Sequence, residues 1–136
     1  MIVLLDTDVL VELALERRPH AEPAAELVDA LERRPGNAFV AWHSVSNCYY
    51  VVAPSRGKDS ARSFLMERAQ FVDVSPTTTE SLRFAGGLKM KDFEDALQVA
   101  AAVACQADVI ATRNLRDYAR APVKAVKPAV VLEQLL

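Results

Sequence analysis

The stretch IVLLDTDVLV, Ile2 to Val11, sets four aliphatic side chains directly ahead of two aspartates spaced one residue apart. Consecutive apolar residues without alternation predict a strand covered on both faces, the kind found in parallel sheets. From Val9 to about Arg18 the apolar positions turn helical, with Thr7 or Asp8 placed to cap the first turn. A buried strand running straight into a helix is the opening of a βαβ unit. Asp6 then stands at the strand's carboxyl end, where helix capping and metal binding are both open readings.

Outward from this stretch the same alternation continues. Glu22–Arg34 reads as an amphipathic helix with Pro23 in its first turn and Pro35-Gly36 as its stop. Ala38–Trp42 reads as a second strand, and Ser44–Val52 as a helix capped by Ser44. Ala53–Ser60, with its proline and glycine, predicts a loop, followed by a helix over Ala61–Gln70 and a strand over Phe71–Val74. Thr77 and Glu80 have capping-box spacing at the head of a helix that stops at Gly86-Gly87. An alanine-rich helix over Ala96–Ala107 leads into a fourth strand, Asp108–Thr112. A loop or short turn, a fifth strand at Val123–Val126 and a terminal helix after Pro128 complete the pattern. Strands alternating with helices predict an α/β fold: one three-layer domain over residues 1–136, its central, mostly parallel sheet of about five strands flanked by helices.

Composition narrows the function. The hydrophobic fraction is 51%, with no run near the ~20 residues of a membrane span, and no leader pattern follows Met1. Cys48 and Cys105 form no C-x-x-C pair and read as small buried apolar side chains in a reducing cytoplasm. His20 and His43 have no ligand-like spacing. The net charge of −2 excludes capture of a polyanion by bulk electrostatics. Local clusters would have to do it: Arg56 with Lys58, Lys89 with Lys91, or Arg113, Arg116 and Arg120.

Ligands of open α/β sheets bind outside the carboxyl ends of the strands. Asp6 ends the first strand there, Thr112-Arg113-Asn114 ends the fourth, and Asp117 follows. The helix that returns to the fourth strand must start at the same rim, which brings Asp95, near Asp92 and Glu94, beside Asp6. Carboxylates gathered this way repel one another unless a cation sits among them. Oxygen donors without cysteine or histidine suit Mg²⁺ or Mn²⁺, which can activate water for phosphodiester hydrolysis. Arg113 and Arg116 stand near enough to hold a phosphate. Each carboxylate also has a plain structural explanation: Asp95 as a cap, Asp117 as a turn residue, Asp8 as a cap or a neighbour of a ligand.

The order IVLLDTDVLV, DFEDALQVAAA, DVIATRNLRDY, VKPAVVLEQL resembles the PIN domain, and especially VapC-type toxins of bacterial toxin–antitoxin pairs. The resemblance spans nearly the whole chain, with DALQVAAA followed by a strand ending in TRN as its strongest element. It implies a metal-dependent ribonuclease, a homodimer and a small antitoxin partner. By position it makes Asp6 and Asp95 the metal ligands and Asp117 the remaining catalytic carboxylate. Asn47, Asp92, Thr112 and Asn114 then act around the ion or through water. Asn47 stands where the family usually places a glutamate, so the site has fewer charges, to be restored by Asp92 or Glu94.

Two other readings compete. LLDTDVL also resembles the D-x-D motif of haloacid-dehalogenase-type phosphohydrolases, but the chain is short for that family and KDFED follows glycine and lysine instead of a buried strand. The other reading is a non-catalytic RNA- or protein-binding module that kept the fold, which Asn47 and the negative charge favour.

Overall fold

Val3–Leu5 forms β1, completely buried at the centre of a five-stranded sheet. The protein is described by a computed structural model covering residues 1–136. The other strands are β2 (Ala38–Val40), β3 (Asp73–Val74), β4 (Val109–Ala111) and β5 (Lys124–Val126). Their order is β3-β2-β1-β4-β5 and every pairing is parallel, so the expected mostly parallel sheet is wholly so. The chain winds outward from β1 through β2 to β3, then returns to β4 on the other side of β1. The crevice between β1 and β4 is thus the topological switch point, where sheets of this class bind ligands. Leu5 is in register with Ala111 there, and the Asp6 N–H donates to the Ala111 carbonyl at 3.0 Å.

The helices are α1 (Thr7–Leu15), α2 (Ala21–Glu32), α3 (Trp42–Arg56), α4 (Lys58–Arg68), α5 (Thr79–Gly87), α6 (Phe93–Ala104) and α7 (Pro128–Leu135). Successive strand residues point to opposite faces. Val3, Leu5, Val109 and Ala111 therefore enter a core of 21 buried residues shared with α1, α2, α3, α4 and α7. Leu4 and Ile110 enter a second core with Val99, Ala101 and Ala102 of α6. The small side chains of α6 let it lie close on the sheet, and α5 packs outside it through Ala85 against Ala96 and Ala100. No helix is long and apolar enough to cross a membrane.

Several local expectations change. Asp6, rather than Thr7 or Asp8, caps α1: its Oδ1 accepts the Thr7 N–H at 2.8 Å. That helix ends at Leu15, with Glu16 left-handed at φ 53°. Ser44 is not a cap; it is buried inside α3, which starts from Ala41. The expected loop over residues 53–60 is helix on both sides of Gly57 alone. Pro54 falls in the last turn of α3, where a missing N–H removes one bond and leaves the rest of the helix in place. The capping box at the head of α5 is formed by Thr78 and Ser81, one residue later than Thr77 and Glu80.

Gly57 makes the corner between α3 and α4 with φ 89° and ψ 154°, a region closed to side-chain-bearing residues. A methyl group there would meet nothing within 4 Å, so the penalty is backbone strain alone. Gly57→Ala is expected to lose about 1–3 kcal/mol of stability, read as a lower urea midpoint at unchanged slope. An unchanged midpoint would show that the corner can adopt another path.

Candidate functional site

A cleft of about 450 Å³ opens over the carboxyl ends of β1 and β4. Its polar lining comes from Asp6 and Asp8 at the start of α1, Asn47 on α3, Glu94, Asp95 and Gln98 on α6, and Asn114 after β4. The fold delivers these groups for separate local reasons. Asp6 and Thr112 each follow the last residue of a buried strand. Asn47 lies one turn into α3, and Asp95 in the first turn of α6, whose N-cap is Asp92 accepting the Asp95 N–H at 3.1 Å. The acidic first turn also suits the positive end of that helix's dipole.

Asp6 is 7% exposed and accepts three hydrogen bonds: Thr7 N–H on Oδ1, and on Oδ2 the hydroxyls of Thr112 at 2.8 Å and Tyr118 at 3.0 Å. Burial raises its pKa, and those three donors pull it back. Asp8 holds the loop after β4. Its Oδ2 accepts from Arg113 N–H at 3.0 Å and Asn114 Nδ2 at 3.3 Å, with the Thr112 hydroxyl 3.2 Å away. Burial, then the charges of Asp6 and Glu12, raise Asp8 to about 6. Burial and the charges of Asp92, Asp117 and Asp6 raise Asp95 to about 6 as well. Three carboxyls at one rim are thus biased toward their neutral forms.

The structure brings together most, but not all, of the residues singled out from sequence. Asp6, Asp95, Asn47 and Asn114 share the cleft, with Thr112 beneath it. Asp117 does not join them at one point; with Asp92 and Arg116 it lines an adjoining cleft of about 460 Å³ that meets the first at Asp95. Arg113 turns away, its guanidinium paired with the buried carboxylate of Glu12. Asn47 donates to Glu94, so the neutral amide and the acidic group that could replace its missing charge stand side by side.

Sequence reasoning gave Asp8 as a cap or a neighbour of a ligand, and passed over Tyr118 and Gln98. Asp8 organises the TRN loop, a role that the D-x-D spacing hints at without specifying. Tyr118 reaches both Asp6 and, at 3.4 Å, Asp95 Oδ1; it was visible only as part of a turn. Gln98 joins Thr7 and Ser44 in a network beneath the cleft, donating to the Ser44 Oγ at 2.6 Å and the Thr7 Oγ1 at 3.0 Å, which ties α6 to α1 and α3. His43 takes no part in lining the cleft, and burial lowers its pKa.

The donor set suits a hard divalent cation. It offers carboxylate, amide and hydroxyl oxygens with no histidine or cysteine, and two buried acceptors of cleft residues, Asp8 Oδ1 and Gln98 Oε1, have no donor. As the side chains stand, no three Asp, Glu, His or Cys groups converge tightly enough to hold one ion. The unmet acceptors and the repulsion among Asp6, Asp8 and Asp95 are what a cation would relieve.

Comparison with known proteins agrees with this fold. VapBC2 from Rickettsia felis, solved bound to a DNA fragment from its promoter, superposes with a TM-score of 0.70 at 19% identity, covering 93% of this chain and 98% of that one. VapC20 from Mycobacterium tuberculosis, described as a Sarcin-Ricin loop cleaving toxin, gives 0.71 at 16% identity over 93% and 99%. FitAB bound to an IR36 DNA fragment gives 0.67 at 19% identity over 94% and 96%. At such identities the likeness speaks for the fold. No curated protein sequence matches the chain. The family model described as PIN domain matches residues 2–116, which takes in β1 to β4, both clefts' acidic residues up to Arg116 and the whole switch point. The chain belongs to the PIN domain family.

Proposed function

We propose that this protein is a Mg²⁺- or Mn²⁺-dependent endoribonuclease, the toxin of a toxin–antitoxin pair. The observation that carries the reading is the cluster of Asp6, Asp8 and Asp95 at the β1/β4 switch point, each with a raised pKa. Burial raises all three, and the charge of Asp6 adds to the rise on Asp8 and Asp95; carboxyls shifted in this way concentrate at functional sites. Asp6 and Asp95 are the ligands in this reading, and Asn47 with Glu94, Asp8 and Asn114 shape their surroundings. A divalent ion held there supplies Lewis-acid activation of water and of the scissile phosphate.

The adjoining cleft supports a polyanionic substrate. Lys89, Lys91, Arg116 and Arg120 line it, and none of them is in a salt bridge. Four cations against the carboxylates of Asp92, Asp95 and Asp117 leave this lining with a small positive balance, where the whole chain is at −2. Arg116 is the phosphate contact in this reading, while Arg113 serves the fold by neutralising buried Glu12. Asp117 and Asp92, exposed between those cations, lie on the path of the strand toward Asp95. A homodimer, a small protein antitoxin and action in the cytoplasm belong to the same reading. The toxin and antitoxin parts of that reading are supported by the likeness in fold to VapBC2 and FitAB, each solved with a DNA fragment, and to the Sarcin-Ricin loop cleaving toxin VapC20.

A second reading, a non-catalytic binding module, is favoured by the lack of three converging metal-binding groups and by the Asn47 amide. Mixed RNA incubated with the purified protein separates the two. A nuclease gives fragments with Mg²⁺ or Mn²⁺ and none with chelator, whereas intact RNA retained by the protein under both conditions would establish the binding module.

A further inference from the structure

We propose that Tyr118 is a positioning residue of the carboxylate cleft, its buried hydroxyl fixing which oxygen of Asp6 remains to hold a cation. The inference rests on the metal-site reading above and concerns a group outside the acidic set. Tyr118 ends the 3-10 turn Leu115–Tyr118 and is 3% exposed, its ring packed in the apolar core with Leu4 and Ile110. A ring wedged in a close-packed core has little freedom, so its hydroxyl is held at one point, 3.0 Å from Asp6 Oδ2 and 3.4 Å from Asp95 Oδ1.

The consequence follows from counting lone pairs. A carboxylate offers roughly four acceptor sites, two on each oxygen. On Asp6, Oδ2 already receives the hydroxyls of Thr112 and Tyr118, and Oδ1 receives the Thr7 N–H. One site is left, on Oδ1. Tyr118 therefore blocks two-oxygen coordination by Asp6 and presents it as a one-oxygen ligand with its plane set. The hydroxyl has a single proton and the shorter contact is to Asp6, so toward Asp95 it presents a neutral oxygen. That oxygen separates the two carboxylates while keeping both near. Partners that orient a ligand in this way tune metal affinity without touching the ion.

Tyr118→Phe keeps the ring and removes only the hydroxyl. Calorimetric titration with Mn²⁺ at pH 7 is expected to show affinity about 10–100-fold weaker than wild type, with an unchanged circular dichroism spectrum. Tyr49→Phe, which removes a phenol hydroxyl that lines neither cleft, is expected to bind as wild type does. Mn²⁺-induced shifts in melting temperature give the same comparison even where the variant's metal-free baseline is lower. Equal Mn²⁺ affinity in Tyr118→Phe would overturn the positioning role. Tighter binding would overturn it too, by showing that the hydroxyl competes with the ion. A wild-type protein that gives no heat with Mn²⁺ would instead remove the metal-site reading and this inference with it.

Discussion

Asp6→Asn is expected to fold as wild type does and to lose RNA cleavage by at least about 100-fold, more than the loss of an outer-shell partner alone would cause. The reasoning about stability starts from the hydrogen bonds. An asparagine oxygen can still accept the Thr7 N–H, and its amide can donate to the hydroxyls of Thr112 and Tyr118, which turn to accept. The network keeps its members while a buried charge disappears. Repulsion on Asp8 and Asp95 falls at the same time, because the Asp6 charge is one of the causes that raise both. The metal-free variant should therefore melt at or above the wild-type temperature. Cleavage measured alongside thermal melting tests both halves, and a folded variant that still cuts RNA at the wild-type rate would remove Asp6 from the chemistry.

The second large effect is a pH-dependent stability that a cation reverses. Asp8 and Asp95 have folded-state values of about 6 against an ordinary 3.8. A raised carboxyl pKa means that the folded state binds protons more tightly than the unfolded chain. The stability these groups contribute is present below about pH 4 and is lost as pH rises through about 6. Cation binding needs the deprotonated carboxylates, so it strengthens over the same interval. Melting curves with and without Mn²⁺ should coincide near pH 4.5 and separate above pH 6. At an ion concentration 100 times the dissociation constant the separation is about 2.7 kcal/mol. The Asp8→Asn and Asp95→Asn proteins should each flatten the metal-free decline. Metal-free stability rising in parallel in wild type and both variants between pH 4 and 6 would show that these carboxyls do not titrate as the cleft requires.

How far the sequence could be read depended on the range of the interactions involved. Buried parallel strands announce themselves through unbroken apolar runs, so Val3–Leu5 and Val109–Ala111, and with them Asp6 and Thr112, were legible. Asp95 was legible because a helix returning to a parallel strand must start at the rim where the previous strands end. The loop expected over residues 53–60 failed for a local reason: Pro54 in a last helical turn forfeits little, and only Gly57 breaks the backbone. Asp117 lines the adjoining cleft because the 3-10 turn after Asn114 sends Tyr118 inward and leaves Asp117 on the exposed side, where its charge still reaches Asp95. Nothing in the spacing of TRNLRDY states which of the two neighbours faces the cleft. The partners of Asp8 and the pairing of Arg113 with Glu12 are contacts across about a hundred residues of chain. Only the folded register of β1 against β4 brings them together.

Calorimetric titration of Mn²⁺ into wild-type and Asp6→Asn protein at pH 7 is the most direct probe of the metal centre. The expected outcome is saturable heat from the wild type that disappears in the variant. Equal heats from the two proteins would remove Asp6 as a ligand, and none from the wild type would mean that these distant aspartates form no metal centre.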